Sequence, residues 1–444
     1  LVSKKAALRG GLFRGNGAIA TVVAIALIVR IGVIVADAGY APQQDAWDYN
    51  RHALSIAGGD GFPDSYYVAD EGPSALRAPG YPFFLAGIYV LSGDSVTLGR
   101  IANAALGALA VLLIFLITTR IWGRRVGFFA AAAAAVFPPL VLLSKELLSE
   151  PLFIALTMGM VLAILEFRRT REARWAILAG VLAGLGALTR NPGPALAIPL
   201  LVGLWVGRPR RSWAAARVPL LSLLCMALAV FPWTVRNAVE FGRFVPVTSG
   251  TGFAMAGTYN QLSFEDDEHP GSWRTPRIVP EYTPYFAGHG IDEGTLDATL
   301  RSEAAAFARR HPGYVVEVSA WNFLRMFEVA TGSVIGYYGE EVTTRGIGSD
   351  APLSERIGLG IAVVLAALGT YAIWRSRRPG SSGRPLPWGP LFLWLVPILL
   401  LAVSLPINGL PRQRAPIDPF LLILAGVGIA WLVERVRLDR VPAR

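Results

Sequence analysis

Gln43-Gln44-Asp45-Ala46-Trp47-Asp48-Tyr49-Asn50 directly follows the first long apolar run of the chain, about residues 18–36. An apolar stretch of that length crosses the roughly 30 Å hydrocarbon core of a bilayer as a helix. The eight residues therefore stand where a membrane helix emerges into water, and they place two acids there in a chain with few acids to spend. Of 444 residues, 53% are apolar and 16% charged, and the mean hydropathy is +0.47. That leaves too little polar surface for a water-soluble fold of this size.

Working outward from the acidic turn, further apolar runs fall at about 98–119, 126–143, 151–167, 175–190, 192–207, 218–234, 357–374, 388–405 and 417–434. Together with 18–36 they make about ten spans of an all-α integral membrane protein. Tyr81 to Leu91 is apolar but too short to span, and its bracketing Pro79, Pro82, Ser92 and Gly93 suit an interfacial or re-entrant helix. Lys4, Lys5, Arg9 and Arg14 before the first run, with Ala36-Asp37-Ala38 after it, suit a signal peptide. The run is long for a signal core and many spans follow, so it is read as a retained span. Arg30 within it would cost about 3 kcal/mol in lipid; snorkelling or a partner inside the bundle would each explain it, and its mid-helix place favours the partner.

The net charge of +10 is a matter of topology. With the N-terminus inside, the inward loops carry Arg120/Arg124/Arg125, Arg168/Arg169/Arg171/Arg174, Arg208/Arg210/Arg211/Arg217 and Arg375/Arg377/Arg378/Arg384, and the tail carries Arg435/Arg437/Arg440/Arg444. Every basic cluster thus falls on the cytoplasmic side, and nearly all acids on the other. The clusters are short and set between apolar runs, which argues against nucleic acid. The chain divides into a cytoplasmic start and first span (1–36), a first extracytoplasmic loop with the acidic turn and juxtamembrane helices (37–97), spans (98–234), a large extracytoplasmic piece (235–356), and three last spans with a basic tail (357–444). A helical stretch is expected at roughly 295–330. The absence of internal repeats disfavours an inverted-repeat transporter. The single cysteine, Cys225, excludes a disulfide within the chain, and His52, His269, His289 and His311 lack ligand spacing.

Three groups of residues could carry chemistry. Asp45 and Asp48 share a helix face, where they could be a solvated helix start, with Asp45 the N-cap of the Trp47–Leu54 segment, or a reactive pair. Glu150, in Ser144-Lys145-Glu146-Leu147-Leu148-Ser149-Glu150-Pro151, could simply stabilise a helix N-terminus, and Lys145 in the same stretch departs from the inward bias of basic residues. Arg190, Arg236, Arg412 and Arg414 also lie against that bias, at outward ends of spans, to snorkel or to grip a phosphate. Glycosyl transfer from a lipid-linked phosphate needs little more than a carboxylate to take the acceptor's proton and cations to hold the phosphate.

Several motifs, in order, resemble those of GT-C-type glycosyltransferases, specifically the bacterial protein O-mannosyltransferase and aminoarabinose transferase group. They are Asp45 with Tyr49, Ala53, Leu54 and Gly58; Arg77-Ala78-Pro79-Gly80-Tyr81-Pro82; Ser149-Glu150-Pro151-Leu152; Leu188-Thr189-Arg190; Pro232 to Asn237 with Phe241 to Val247; and Arg412 to Pro419. The resemblance implies a GT-C-like helical bundle with a small extracytoplasmic domain in a bacterial plasma membrane. It makes Asp45 the general base and Glu150 a second active-site carboxylate. Asp48, Tyr49, Arg77, Tyr81, Lys145, Arg190, Arg236, Arg412 and Arg414 become ligands of donor or substrate. Ala46 stands where many relatives carry a second acid, so no paired-acid metal site is expected there; whether a divalent cation assists stays open. Residues 260–355 match no motif of the family, and acceptor choice is expected to reside there. The implied activity is inverting transfer of a sugar from a polyprenyl-phosphate donor to an envelope lipid, glycan or exported protein. The rival reading is a transporter or flippase of a lipid-linked sugar, which would use the same arginines without forming a glycosidic bond.

Overall fold

The computed structural model describes residues 16–205, 213–267, 269–330, 334–335, 341–342, 353–378 and 385–438. Lys4, Lys5, Arg9, Arg14, Arg208, Arg210, Arg211, Arg384, Arg440 and Arg444, read above as inward charges, lie outside them. The fold is helical. The described strand content is one short antiparallel pairing, Val334 opposite Val342 and Ile335 opposite Glu341.

Each expected span has become helix, but not all at spanning length. Among the described residues, six helices are long and apolar enough to cross a membrane: α1 (Asn16–Ala36), α4 (Val96–Trp122), α7 (Glu150–Thr170), α10 (Trp213–Phe241), α16 (Leu353–Arg375) and α18 (Asp418–Leu438). The runs at 175–190, 192–207 and 388–405 form the shorter α8 (Ala173–Ala187), α9 (Ala197–Leu204, after a 3-10 turn Gly193–Leu196) and α17 (Leu391–Ser404). The short apolar piece expected near Tyr81 is α3 (Gly80–Ser92), and the acidic turn opens α2 (Gln44–Gly58).

The run at 126–143 breaks in two, α5 (Arg124–Val136) and α6 (Pro138–Leu143), with Phe137 extended between them. Pro138 and Pro139 lack the N–H groups that would bond the carbonyls of Ala134 and Ala135 four residues back. Arg30 of α1 supplies the missing donors. Its Nη1 donates to Ala135 O at 3.1 Å and to Ala26 O at 3.0 Å, and its Nη2 donates to Ala134 O at 3.4 Å. The buried charge in the first span is therefore matched to the negative end of a broken helix. Elsewhere small residues let helices approach. A Cβ on Gly180 or Gly184 of α8 would collide with backbone of α10, and one on Gly369 of α16 with backbone of α18.

The helices alternate in direction. One end of the bundle gathers the starts of α4, α7 and α18 with α2, α3 and residue 190. The far end is marked by Arg120 paired with Glu166 at 2.5 Å, Arg168 donating to Gly203 O, and Trp122 donating to Pro387 O. The described arginine clusters after α4 and α7 thus lie away from the acidic turn.

Beyond the first end sits a second apolar cluster, built from α11 (Gly250–Ala256), α13 (Thr283–Ala287), α14 (Glu293–Arg310) and α15 (Pro312–Met326), with Phe264 of α12 (Gln261–Phe264) against Phe307 and Tyr314 at its side. The stretch expected at 295–330 is two helices, because Pro312 starts a new one after the non-helical His311. Val68 of the first loop is buried in the same cluster, so the two polar pieces of the chain pack as neighbours.

Candidate active site

On α2, positions 45, 48, 49 and 52 repeat at three and four residues and so lie on one face. Asp45 sits in the first turn, and Glu150 is the first residue of α7, so both acids occupy the positive end of a helix. Gln43, not Asp45, holds the cap position of α2, and no side chain caps it. The Asp45 carboxylate is free of that duty.

Arginines from three other segments converge on these acids. Arg77, in the turn before α3, donates from Nη2 to Asp45 Oδ1 at 2.6 Å and from Nε to Asp48 Oδ2 at 2.6 Å. Arg412, in the 3-10 turn Pro411–Gln413, donates to Asp45 Oδ2. Arg190, past the end of α8, lies 2.5 Å from Glu150 Oε1 and donates to Ser149 Oγ at 3.1 Å and to Gln413 Oε1 at 2.6 Å. Tyr49 joins the halves by donating to Ser149 Oγ at 3.2 Å, with the Arg77 guanidinium over its ring and Tyr81 packed edge-on against it. The Tyr81 hydroxyl accepts from Asn103 Nδ2 at 2.9 Å. Three acids and three arginines thus form one interlocked cluster.

The charges tune one another. Burial would raise the Asp45 carboxyl, but the Arg412 and Arg77 guanidinia outweigh it and hold it well below the ordinary carboxylate range. Burial is likewise overcome at Asp48, by Arg77 and the His52 contact. Burial would lower Arg77 and Arg412, yet the facing acids, Asp45 foremost, raise both. Exposure separates the acids sharply. The Asp45 side chain is 26% exposed, whereas Asp48 is 1% and Glu150 0%. Glu150 Oε2 is buried without a hydrogen-bond partner. Asp45 is the carboxylate of the cluster that an incoming molecule reaches, flanked by guanidinia that are themselves partly open.

Asp45, Asp48, Tyr49, Arg77, Tyr81, Glu150, Arg190 and Arg412 are therefore brought together. Three other residues singled out in the sequence are not. Arg236 donates to Ser74 O at 2.7 Å and packs over Phe62, Trp233 and Phe241, which makes it a brace for the first loop. Arg414 is buried and donates to Asp418 Oδ1 at 2.9 Å and to Met326 O, facing away from Asp45. Lys145 is 3.7 Å from Asp37 and 3.9 Å from Glu146, in a separate group with Arg100. Sequence position alone could not separate a helix-end arginine that faces the cluster from one that faces the scaffold.

Ser149, Gln413, His52 and Tyr66 were not singled out, though each takes part. Ser149 and Gln413 abut Glu150 and Arg412 in sequence, and His52 follows Asp48 by one helical turn. His52 Nδ1 is 3.2 Å from Asp48 Oδ1, and Tyr66 donates to Asp48 Oδ2 at 3.3 Å. Adjacency and spacing were the available signals. The donor set does not suit a resident divalent cation: both Asp45 oxygens and both Asp48 oxygens already face guanidinium or ring donors. No group of three His, Cys, Asp or Glu among the described residues is arranged to hold one.

Residues 76–235 match the family model of dolichyl-phosphate-mannose-protein mannosyltransferases, a segment holding Arg77, Tyr81, Glu150 and Arg190 but starting past Asp45. No curated protein sequence matches the chain. Among solved structures, the oligosaccharyltransferase AglB of Archaeoglobus fulgidus in complex with an inhibitory peptide and a dolichol-phosphate aligns over 98% of this chain and 53% of its own, with 13% identity and a TM-score of 0.53. The apo form of the Archaeoglobus fulgidus oligosaccharyltransferase aligns over 97% and 52%, with 14% identity and a TM-score of 0.55. ArnT from Cupriavidus metallidurans bound to undecaprenyl phosphate overlaps more loosely, over 95% and 79%, with 14% identity and a TM-score of 0.45. The chain spans about half the length of the AglB chains it matches. It shares the helical GT-C fold of the Archaeoglobus oligosaccharyltransferase, and its residues 76–235 match the protein-mannosyltransferase family model.

Proposed function

We propose that this protein is an inverting glycosyltransferase that takes a sugar from a polyprenyl monophosphate and passes it to a hydroxyl of an envelope lipid, glycan or exported protein. The observation that carries the reading is Asp45, a partly exposed carboxylate between two guanidinia at the end of a membrane bundle. Asp45 takes the proton of the acceptor hydroxyl as its oxygen attacks the anomeric carbon. The bond from that carbon to the phosphate oxygen breaks on the opposite face, and the lipid phosphate leaves with the electron pair. Arg412, Arg190 and Arg77 stabilise the charge of the departing phosphate. Glu150 orients donor or acceptor from its buried place beside Arg190. Tyr49 supports the Arg77 guanidinium with its ring, and the buried Tyr81 packs behind Tyr49.

The same reading places the chain in a bacterial plasma membrane with both ends in the cytoplasm and the acidic turn outside. The arginine clusters at the far end of the bundle support that orientation.

The test is product formation in detergent, with radiolabelled polyprenyl-phosphate mannose and arabinose offered to an envelope lipid extract. Wild-type protein should move label into a new product, and Asp45→Asn should lose about 100- to 10,000-fold of that rate. Near-normal transfer by a folded Asp45→Asn protein refutes the assignment of the base. Movement of intact donor across proteoliposomes without a new glycosidic bond refutes the transferase.

A further inference from the structure

Four donors from three segments converge on one buried carboxylate that the chemistry above does not use. Glu293, the first residue of α14, is 3% exposed. Its Oε2 accepts from Ser65 Oγ at 2.5 Å and Ser74 Oγ at 2.9 Å, and its Oε1 accepts from Ala75 N at 2.7 Å and Ser249 Oγ at 2.5 Å. A carboxylate is the side-chain group that accepts at all four places.

The stretch so gripped leads straight to the cluster. Ser74 O accepts from Arg236, Ala75 O accepts from Ser249 N at 2.9 Å, and Leu76 O accepts from Thr248 Oγ at 2.7 Å. Three successive carbonyls are held from the second polar piece of the chain. The next residue is Arg77, whose guanidinium bridges Asp45 and Asp48. On the other side of Arg77, Gly80 N donates to Leu188 O at 2.7 Å. Ser65 begins the same grip one residue before Tyr66, which donates to Asp48. A charge-assisted hydrogen bond weakens steeply with misplacement, so the position of this backbone sets how Arg77 meets its partners.

We propose that Glu293 is a positioning residue for the site: it fixes residues 65–76 so that Arg77 holds Asp45 and a donor phosphate in register. The inference rests on the reading of the cluster as a lipid-phosphate site. It gives the outer helices a part in catalysis that needs no contact with substrate.

Glutamine at 293 keeps the shape but turns an NH2 toward donors, leaving the grip half made. The experiment is a cycle on the full chain in detergent: wild type, Glu293→Gln, Arg77→Gln and the double variant, with undecaprenyl phosphate affinity and thermal melting measured for each. Glu293→Gln should weaken the affinity about tenfold, and the double variant should bind no more weakly than Arg77→Gln alone. A general loss of structure would add in the two backgrounds, and additive losses overturn the inference. So does unchanged affinity in Glu293→Gln. Ser249→Ala removes one of the four donors and should show a smaller loss that also vanishes in the Arg77→Gln background; it decides the matter should Glu293→Gln not fold. If wild type binds undecaprenyl phosphate and Arg77→Gln weakens that binding, the site reading stands whatever Glu293 does. If wild type shows no binding, both fall.

Discussion

Replacing Arg412 by glutamine removes one of the two guanidinia on Asp45 and leaves the other, so its two consequences can be read apart. A charge-assisted hydrogen bond contributes about 1.5–3 kcal/mol, or roughly 10- to 150-fold in affinity. The Arg412 side chain is 19% exposed, and solvent screening places the expected loss near the lower end. Undecaprenyl phosphate should therefore bind about tenfold more weakly. The second consequence concerns protonation. Arg412 and Arg77 together hold the Asp45 carboxyl below its ordinary range, and with Arg77 alone it rises toward that range. A base is lost when it protonates, so the acid limb of the pH–rate profile should move to higher pH, and the rate at pH 7 with saturating donor should also fall because the departing phosphate loses one stabilising guanidinium. Equilibrium binding in detergent and transfer rates taken from pH 7 down to about 3, where a carboxyl near its ordinary value of about 3.9 begins to protonate, supply both readouts. Unchanged affinity for the lipid phosphate, or an acid limb that does not move, would refute the assignment of Arg412 to both tasks.

Arg190→Met leaves the fully buried Glu150 without its cation, and breaking such a pair from one side typically costs about 3–5 kcal/mol. Glu150→Gln combined with Arg190→Met should recover much of the melting temperature lost by Arg190→Met alone; a double variant no more stable than the single one contradicts the pairing. Asp297, on α14, accepts from Gly252 N, yet burial raises its carboxyl to about 6. In the pH range from about 4 to 6 the folded chain then binds more protons than the unfolded one, so this group lowers stability as pH rises through that range. Asp297→Asn keeps an acceptor for Gly252 and should stabilise the protein above pH 6, by at most about 3 kcal/mol, with no gain at pH 4. Equal effects of the substitution at both pH values, measured by melting in detergent, would show that the carboxyl is not perturbed.

The one-dimensional pattern was sufficient wherever a property depends on what sits next along the chain. Apolar runs became helices at all ten expected places, because a segment of mostly Ala, Leu, Val and Ile must satisfy its backbone within itself when no water is near. The acidic turn became the start of a helix, with Asp45, Asp48 and Tyr49 on one face, because a period of 3.6 residues leaves no other arrangement. Pro312 ended one helix and began another, as its missing N–H requires.

What a side chain faces was decided in three dimensions. Arg30 looked like a costly charge in lipid until the carbonyls freed by Pro138 and Pro139, more than a hundred residues away, were found beside it. Arg412 and Arg414 stand two residues apart in one short turn, and one meets Asp45 while the other meets Asp418. Nothing in local sequence separates them, since each carries the same group on the same length of chain. Glu293 gave no signal at all, because an acid at a helix start has an ordinary capping explanation and its four donors come from residues 65 to 75 and 249. Sequence by itself determined the helices and the reactive turn, through local hydrogen bonding and periodicity. Only the tertiary structure decided which charges meet, because pairing energy falls off within a few ångströms and those distances are set by how distant segments pack.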